Sequence, residues 1–418
     1  MAGCLRATFI TSSARTDRDG QVPAKRARAM VDVAVVGAGQ TAFGQHPGAM
    51  KDMWSEAVRA CVESVDGDLS LNEVDELFLG STAFGGGQLG NTAAYLAEHA
   101  GMAGVPARRV ENACASSGFA LRDGWAAIAS GRADLVVVGG LETMNDLTPE
   151  RKRYWLGVSG DTEWERLAGL TFPGTYALMA RRHAHEHGST HDDLVHISVK
   201  NHAHAVDNEH AHLRKAVPFE KAAAGAMIAD PLTLYDCCPT SDGAACLVLA
   251  SADLARSLTD TPVWMRGSGA ASDHLALHDR PSLTTLPATR KAAAQAYAAA
   301  GIGPKDLDVA EVHDCFTIAE LLATEDLGLA EVGEGGTFAR EGRGRRNEGR
   351  TTVNGSGGLK AKGHPLGATG AGQVVEVFKQ LRGQASARQV RDAGWALTHN
   401  VGGSGATCAV HIFGRDRA

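Results

Sequence analysis

Val31-Asp32-Val33-Ala34-Val35-Val36-Gly37-Ala38-Gly39-Gln40-Thr41-Ala42-Phe43-Gly44 opens the patterned part of this 418-residue chain. An apolar, β-branched run ending in glycines reads as a buried strand that enters a tight turn. The glycines invite a dinucleotide-binding fold. That fingerprint, however, needs a third glycine where Ala42 stands, and an acidic residue at the end of a second strand about 20 residues on. The chain instead continues into an amphipathic helix (Met53, Ala57, Val58, Ala60, Cys61, Val65) and the short strand Leu77-Phe78-Leu79-Gly80. It is therefore α/β without the dinucleotide turn.

Working outward, the pattern predicts helix over 92–100, a helix after Cys114, and the buried strand Leu135-Val136-Val137-Val138-Gly139-Gly140. The strand Ala245–Ala250 restores that style after a charged, Trp- and His-containing stretch with weak strand signals. A second unit starts near Val263, with helices at 288–300, 318–327 and 371–381 and strands at 309–312, 395–399 and 407–413. Alternation of this kind implies a sheet covered on both faces. Glycine-rich strings before helices, around Cys114 and around His364, occupy comparable places in the two halves and predict an internal duplication. The expected organisation is an N-terminal half over 31–148 completed by 235–255, an inserted loop lobe over 149–234, and a C-terminal half over 256–418. Residues 1–29, with six Lys or Arg and no secretory apolar core, read as a disordered extension or as a start-site artefact with the start at Met30.

Composition narrows the function. Fifty glycines, 44% hydrophobic and 5% aromatic residues suit a compact enzyme with tight turns, and a net charge of −7 argues against a nucleic-acid surface. The eight cysteines show neither metal-ligand nor disulfide-framework spacing, which points to a reducing, cytoplasmic setting. No stretch approaches the ~20 apolar residues of a membrane span. Nine of 17 histidines lie between 183 and 212, but Gly188-Ser189-Thr190 interrupts the helical spacing of His183, His187 and His191. A solvated lobe surface is the expectation there, with no metal assigned.

Cys114, in Asn112-Ala113-Cys114-Ala115-Ser116-Ser117-Gly118, sits at the mouth of a helix, where unpaired N–H groups and the helix dipole favour a reactive thiolate. Two further strings place histidines at element ends: Glu311-Val312-His313-Asp314-Cys315-Phe316, and Asn354-Gly355-Ser356-Gly357-Gly358 running on to Gly363-His364-Pro365. Strand alternation points His313 and Cys315 to one side.

These strings, with Phe172-Pro173-Gly174-Thr175-Tyr176-Ala177, Ser241-Asp242-Gly243-Ala244-Ala245 and Thr398-His399-Asn400-Val401-Gly402-Gly403-Ser404-Gly405, resemble the thiolase superfamily over about 31–414. The closer likeness is to its sterol-carrier-protein-type and archaeal acetyl-CoA acetyltransferase branch. The resemblance implies a thiolase fold, two duplicated α/β halves in an α-β-α-β-α layering. It also implies an acyl-CoA C-acyltransferase that condenses or cleaves 3-oxoacyl-CoA through acyl-Cys114, with acetyl-CoA and acetoacetyl-CoA as the expected pair. His364 would be the base for Cys114, His313 and His364 the donors to an enolate oxygen, and Cys315 the acid/base thiol. Gly402 or Gly403, with Cys114, would supply oxyanion N–H groups, and Asn354 would stand behind the site. Many thiolases carry a second cysteine where this chain has His399-Asn400, so His399 is the other candidate for the acid/base. Coenzyme A thioesters would be substrates and no cofactor would be bound; residues that hold coenzyme A are unassigned. The basic run Arg340, Arg343, Arg345, Arg346 and Arg350 is a candidate phosphate contact or partner surface. A homodimer or tetramer and a zinc-ribbon/OB-fold partner are the expected associations. The alternatives are a thiolase-fold aldolase or lyase acting on a CoA-linked side chain, and a partner-dependent subunit.

Overall fold

The computed structural model describes residues 31–416, so expectations for 1–29 lie outside the described residues. The first half contains β1 (Val33–Gln40), α1 (Met50–Glu63), β2 (Glu76–Gly80), α2 (Thr92–His99), β3 (Ala107–Val110), α3 (Ser116–Ala129) and β4 (Leu135–Glu142). A helical segment comes next, α4 (Pro149–Gly157), α5 (Phe172–His187), α6 (His191–Ala205) and α7 (Phe219–Ala223), with a small β5 (Met227–Ala229) and β6 (Leu232–Thr233) pair. The chain then forms β7 (Gly243–Ser251), α8 (Ala252–Leu258), β8 (Val263–Ser272), α9 (Pro287–Ala300), β9 (Val309–Glu311), α10 (Thr317–Asp326) and α11 (Gly335–Arg340). It closes with β10 (Thr352–Val353), α12 (Gly358–Lys362), α13 (Thr369–Leu381), β11 (Trp395–Gly402) and β12 (Thr407–Gly414).

Ten strands form one mixed sheet in the order β10-β9-β11-β12-β8-β1-β7-β4-β2-β3. Read outward from its centre, each half has the same connectivity and the same parallel and antiparallel pairings, so the duplication is written in the topology. The halves join through two residue pairs, Ala34 with Trp264 and Val35 with Val263. Alternate residues serve opposite faces: Val136 and Val138 of β4 pack in the cluster that holds α3 and α13, Leu135 and Val137 against α1 and α2. Both α3 and α13 touch strands of both halves, and α9 covers the far side of β8 and β12. The result is helices, one half of the sheet, helices, the other half of the sheet, helices.

The glycines of the opening stretch serve packing. A Cβ on Gly39 would lie 2.2 Å from the Cys61 nitrogen of α1, and one on Gly269 would lie 1.9 Å from the Ala292 oxygen of α9. Val33, Gly37 and Gly39 of β1 recur at the same spacing as Val263, Gly267 and Gly269 of β8, so each half uses two glycines to bring its first strand against its outer helix.

The segment expected as a loop lobe is largely helical. Thr171 caps Gly174 N–H at the start of α5, Gly188 ends that helix at φ 76°, and Thr190 with Asp193 forms a capping box on α6. Three of its nine histidines, His183, His202 and His204, are buried rather than solvated. His183 bonds the Glu325 carboxylate at 3.1 Å and His204 the Asn354 carbonyl at 2.9 Å, fastening this segment to the second half. No helix among the described residues is long and apolar enough to cross a membrane.

Candidate active site

The first turns of α3 and α13 meet: Ala371 N–H donates to Ser117 Oγ at 3.0 Å, and a Cβ on Gly370 would lie 2.5 Å from the Gly118 nitrogen. Cys114 stands two residues before α3, in a bend where Ala113 has φ 49°. The Ser116 hydroxyl staples that bend, accepting Asn112 N–H at 3.1 Å and donating to the Ala113 carbonyl at 2.6 Å. His364 lies between α12 and α13. The Cys114 sulfur and a ring nitrogen of each of His313 and His364 all lie within 4.8 Å of one another, and the two rings stand edge to face with centroids 5.1 Å apart.

Neighbours give the two imidazoles opposite roles. Thr369 Oγ1 donates to the Pro365 carbonyl at 2.9 Å, so at 2.7 Å it accepts the proton of His364 Nδ1. His364 Nε2 is thereby left with a lone pair, and burial pushes the ring's pKa down to about 3, which keeps it neutral. At His313 the determinant is Asn400. Gly118 N–H donates to Asn400 Oδ1 at 3.1 Å, which fixes the carboxamide. Its Nδ2 then donates to the Cys114 carbonyl at 3.0 Å and to His313 Nδ1 at 3.3 Å. His313 Nε2 consequently carries the hydrogen, and it is buried with no protein partner. One imidazole offers an acceptor and the other a donor.

Cys114 is buried, and burial, then Cys238 and Glu142, push its thiol up, against the pull of the Cys114 and Gly403 N–H groups. The thiolate expected from the helix mouth is thus corrected: α3 starts too late and the site is too dry for its dipole to win, and the resting pair is thiol and neutral imidazole. Burial likewise raises Cys315. The cavity these groups share measures about 130 Å³ and is lined by Cys114, Cys315, His364 and Gly403 with apolar walls that include Met144, Leu156, Phe172, Phe316 and Leu366. Leu156, Phe172 and Pro173 also wall a second cavity of about 430 Å³, bordered by Arg153, Tyr154 and Arg166.

Other expected residues fall elsewhere. His399 is not in the cavity: its Nδ1 accepts His313 N–H at 3.3 Å and its Nε2 meets Thr289 Oγ1 at 3.0 Å. Asn354 accepts Val312 N–H and donates to Glu320, bracing the chain before His313. Gly402 packs against the Asn112 carbonyl. His313 and Cys315 lie beyond the end of β9 at Glu311, so a loop rather than strand alternation brings His313 beside Cys114 and Cys315 to the cavity. Four of the five arginines in the run are matched by acids, Arg340 with Asp193, Arg343 with Glu341, Arg345 with Glu348 and Arg346 with Asp207, and Arg350 donates to the Lys305 carbonyl. That leaves it a poor phosphate cradle. The sequence reading missed Asn400, Tyr176, Cys237 and Cys238 as site residues, although the first two lie inside strings it quoted and the vicinal thiols precede a third. A soft divalent metal could draw on Cys114, His313 and His364, but only after His313 Nε2 gave up its hydrogen.

Residues 33–253 match the family described as thiolase, N-terminal domain, and 269–415 that described as thiolase C-terminal domain-like. An acetyl-CoA acetyltransferase of Methanothermobacter thermautotrophicus is 46% identical over 92% of this chain and all of its own length. Human sterol carrier protein 2 is 34% identical over 90% of this chain and 70% of its own. A solved Ltp2-ChsH2(DUF35) aldolase superposes with a TM-score of 0.80 at 26% identity, covering 93% of this chain and 99% of that one.

Proposed function

The chain belongs to the thiolase family, and from that premise we propose that it is an acyl-CoA C-acyltransferase working through an acyl-Cys114 thioester. The observation that carries this reading is the meeting of a thiol with two imidazoles of opposite tautomer, where the thiol and His364 line one small apolar cavity with a second thiol. Cys114 attacks the thioester carbonyl while His364 Nε2 takes its proton and later returns it to departing coenzyme A. The N–H groups of Cys114 and Gly403 support the oxyanion; one such donor is typically worth ~3 to 4 kcal/mol. Cys315 then passes its thiol proton to His364 Nε2, and the thiolate takes an α-proton from a second acyl-CoA; the enolate oxygen accepts from His313 Nε2–H and His364 Nε2–H, and His364 returns its proton to the Cys114 sulfur as the enolate displaces it. Attack on acyl-Cys114 releases 3-oxoacyl-CoA, and cleavage runs the same steps backwards. Acetyl-CoA and acetoacetyl-CoA suit the name of the archaeal relative.

Supplied with acetoacetyl-CoA and coenzyme A, the wild-type protein should form acetyl-CoA, and His364→Ala should lose that activity. The aldolase reading is favoured by the Ltp2 likeness. Release of an aldehyde or ketone from a β-hydroxyacyl-CoA, without thiolysis of acetoacetyl-CoA, would establish it instead.

A small DUF35-type partner, of the kind named with Ltp2, fits one more feature. α4 buries none of its residues, Tyr154 and Leu167 are exposed at the second cavity, and Trp164 is exposed as well. A homodimer fits the β3 edge, which pairs only with β2 among the described residues. Free cysteines suit the cytoplasm.

A further inference from the structure

The reacting groups around Cys114 come from two strings that meet only in the fold: His313 and Cys315 from the loop after β9, and His364 from the turn after α12. Between His313 and Cys315 stands Asp314, completely buried. Its carboxylate reaches α12. Oδ1 accepts Leu359 N–H at 2.6 Å and Oδ2 accepts Lys360 N–H at 3.1 Å, and Oδ2 also accepts from Asn201 Nδ2 of α6 at 2.7 Å. Leu359 and Lys360 lie within five residues of His364. A Cβ on Gly358 would overlap Asp314 Oδ2, so that glycine is what admits the carboxylate. We propose that Asp314 is the positioning residue that fixes the loop of His313 and Cys315 against the turn of His364. The inference rests on the acyl-transfer reading above.

The reaction asks for such a tie. His364 Nε2 serves Cys114 in the first half-reaction and Cys315 in the second, and its N–H then converges with His313 Nε2–H on one enolate oxygen. A misplacement of about 1 Å among reacting groups can cost on the order of 100-fold in rate. Other contacts hold each string to its own surroundings: the Cys315 carbonyl accepts Cys238 N–H at 3.0 Å, Phe316 stacks on the buried Tyr176 ring with centroids 4.6 Å apart, and His364 N–H donates to Ser241 Oγ at 3.2 Å. Asp314 joins the two strings beside the reacting groups themselves. Asn201 carries the tie on to Glu320, which also accepts from Asn354 Nδ2 at 2.7 Å. No proton passes through Asp314, whose part is to hold backbone N–H groups.

Asp314→Asn keeps the volume but turns one oxygen into an NH2 group that faces an N–H donor. With acetoacetyl-CoA and coenzyme A, kcat of the folded variant should fall roughly 10- to 100-fold while KM stays within about twofold of wild type. Asp326→Asn is the control: that carboxylate is also buried and accepts Leu286 N–H at 2.6 Å, away from the two strings, so its loss should lower stability and leave kcat unchanged. Gly358→Ala, which crowds the carboxylate off α12, should show the same kcat loss at unchanged KM, and does so even where Asp314→Asn fails to fold. The double variant should lose little more than Asp314→Asn. Losses that multiply in the double variant, a kcat close to wild type in Asp314→Asn, or an equal kcat loss in Asp326→Asn overturns the proposal. A second measurement does not need turnover. Hydrogen exchange followed by peptide mass should speed up over both 312–316 and 358–364 when Asp314 becomes Asn. A rise in one of them, or in neither, overturns the tie, whereas a wild type that does not cleave acetoacetyl-CoA counts against the acyl-transfer reading and leaves the exchange result standing.

Discussion

Asn400 links three parts of the site with one carboxamide: the Gly118 N–H, the Cys114 carbonyl and His313 Nδ1. Asn400→Ala would leave the first two buried and unpaired and free His313 to change tautomer. A stability loss of about 1–3 kcal/mol is expected by thermal denaturation, and condensation should fall more than that loss of fold explains. The thiol and imidazole states give a pH prediction. With His364 pushed down to about 3 and Cys114 pushed up, neither group titrates between pH 5 and 8, so acylation of Cys114 by acetyl-CoA should be flat across that range. In His364→Ala the same step should rise roughly tenfold per pH unit, following the thiolate. A wild-type midpoint near an ordinary histidine pKa would refute the depressed base. Cys114, His313, Cys315 and His364 were legible in the sequence because reactive side chains stood out in short strings at element ends. Asn400, Tyr176 and Cys238 were not: their roles come from contacts between residues far apart in the chain, 87 positions for Asn400 with His313, which no local pattern records.

At the scale of elements, β1 and β8 carry the fold's tightest requirement. Gly39→Ala would drive a methyl group into the backbone of α1, and Gly269→Ala one into the Ala292 carbonyl of α9. Backbone cannot yield as a side chain can, so each should lower stability by about 1–3 kcal/mol or more in denaturant titrations. Equal stability to wild type would mean that the strands and helices are further apart than described. The buried central strands and the longer helices of both halves were readable because their apolar periods were clean; the edge strands were not, β3 because Arg108 and Arg109 break its pattern and β10 because it is two residues long. The helices of the 149–234 segment went unread because its charge and histidines hid the helix signals. Those signals were present in Thr171, Pro173, Gly188 and the Thr190 to Asp193 capping box, whose side-chain bonds decide where α5 and α6 begin and end.

For the whole molecule, buried histidines couple fold to pH. His204, His364 and His399 are held down to about 3 and His411 to about 4, chiefly by burial. Each binds a proton more readily once unfolded, so stability present above pH 6.5 should be lost as pH falls, by up to about 1.4 kcal/mol per histidine per pH unit. Asp314, raised to about 7 by burial and Glu320, opposes this but is outnumbered. Denaturant midpoints that do not fall between pH 7 and 5 would contradict these buried neutral rings. The duplication, the shared cavity and the meeting of α3 with α13 all converge on Cys114. Intact mass spectrometry after incubation with acetyl-CoA, and separately with acetoacetyl-CoA, tests that convergence most directly. The account predicts one acetyl group on the wild-type protein and none on Cys114→Ala; a wild type without adduct under both conditions, or an adduct that survives the substitution, would contradict it.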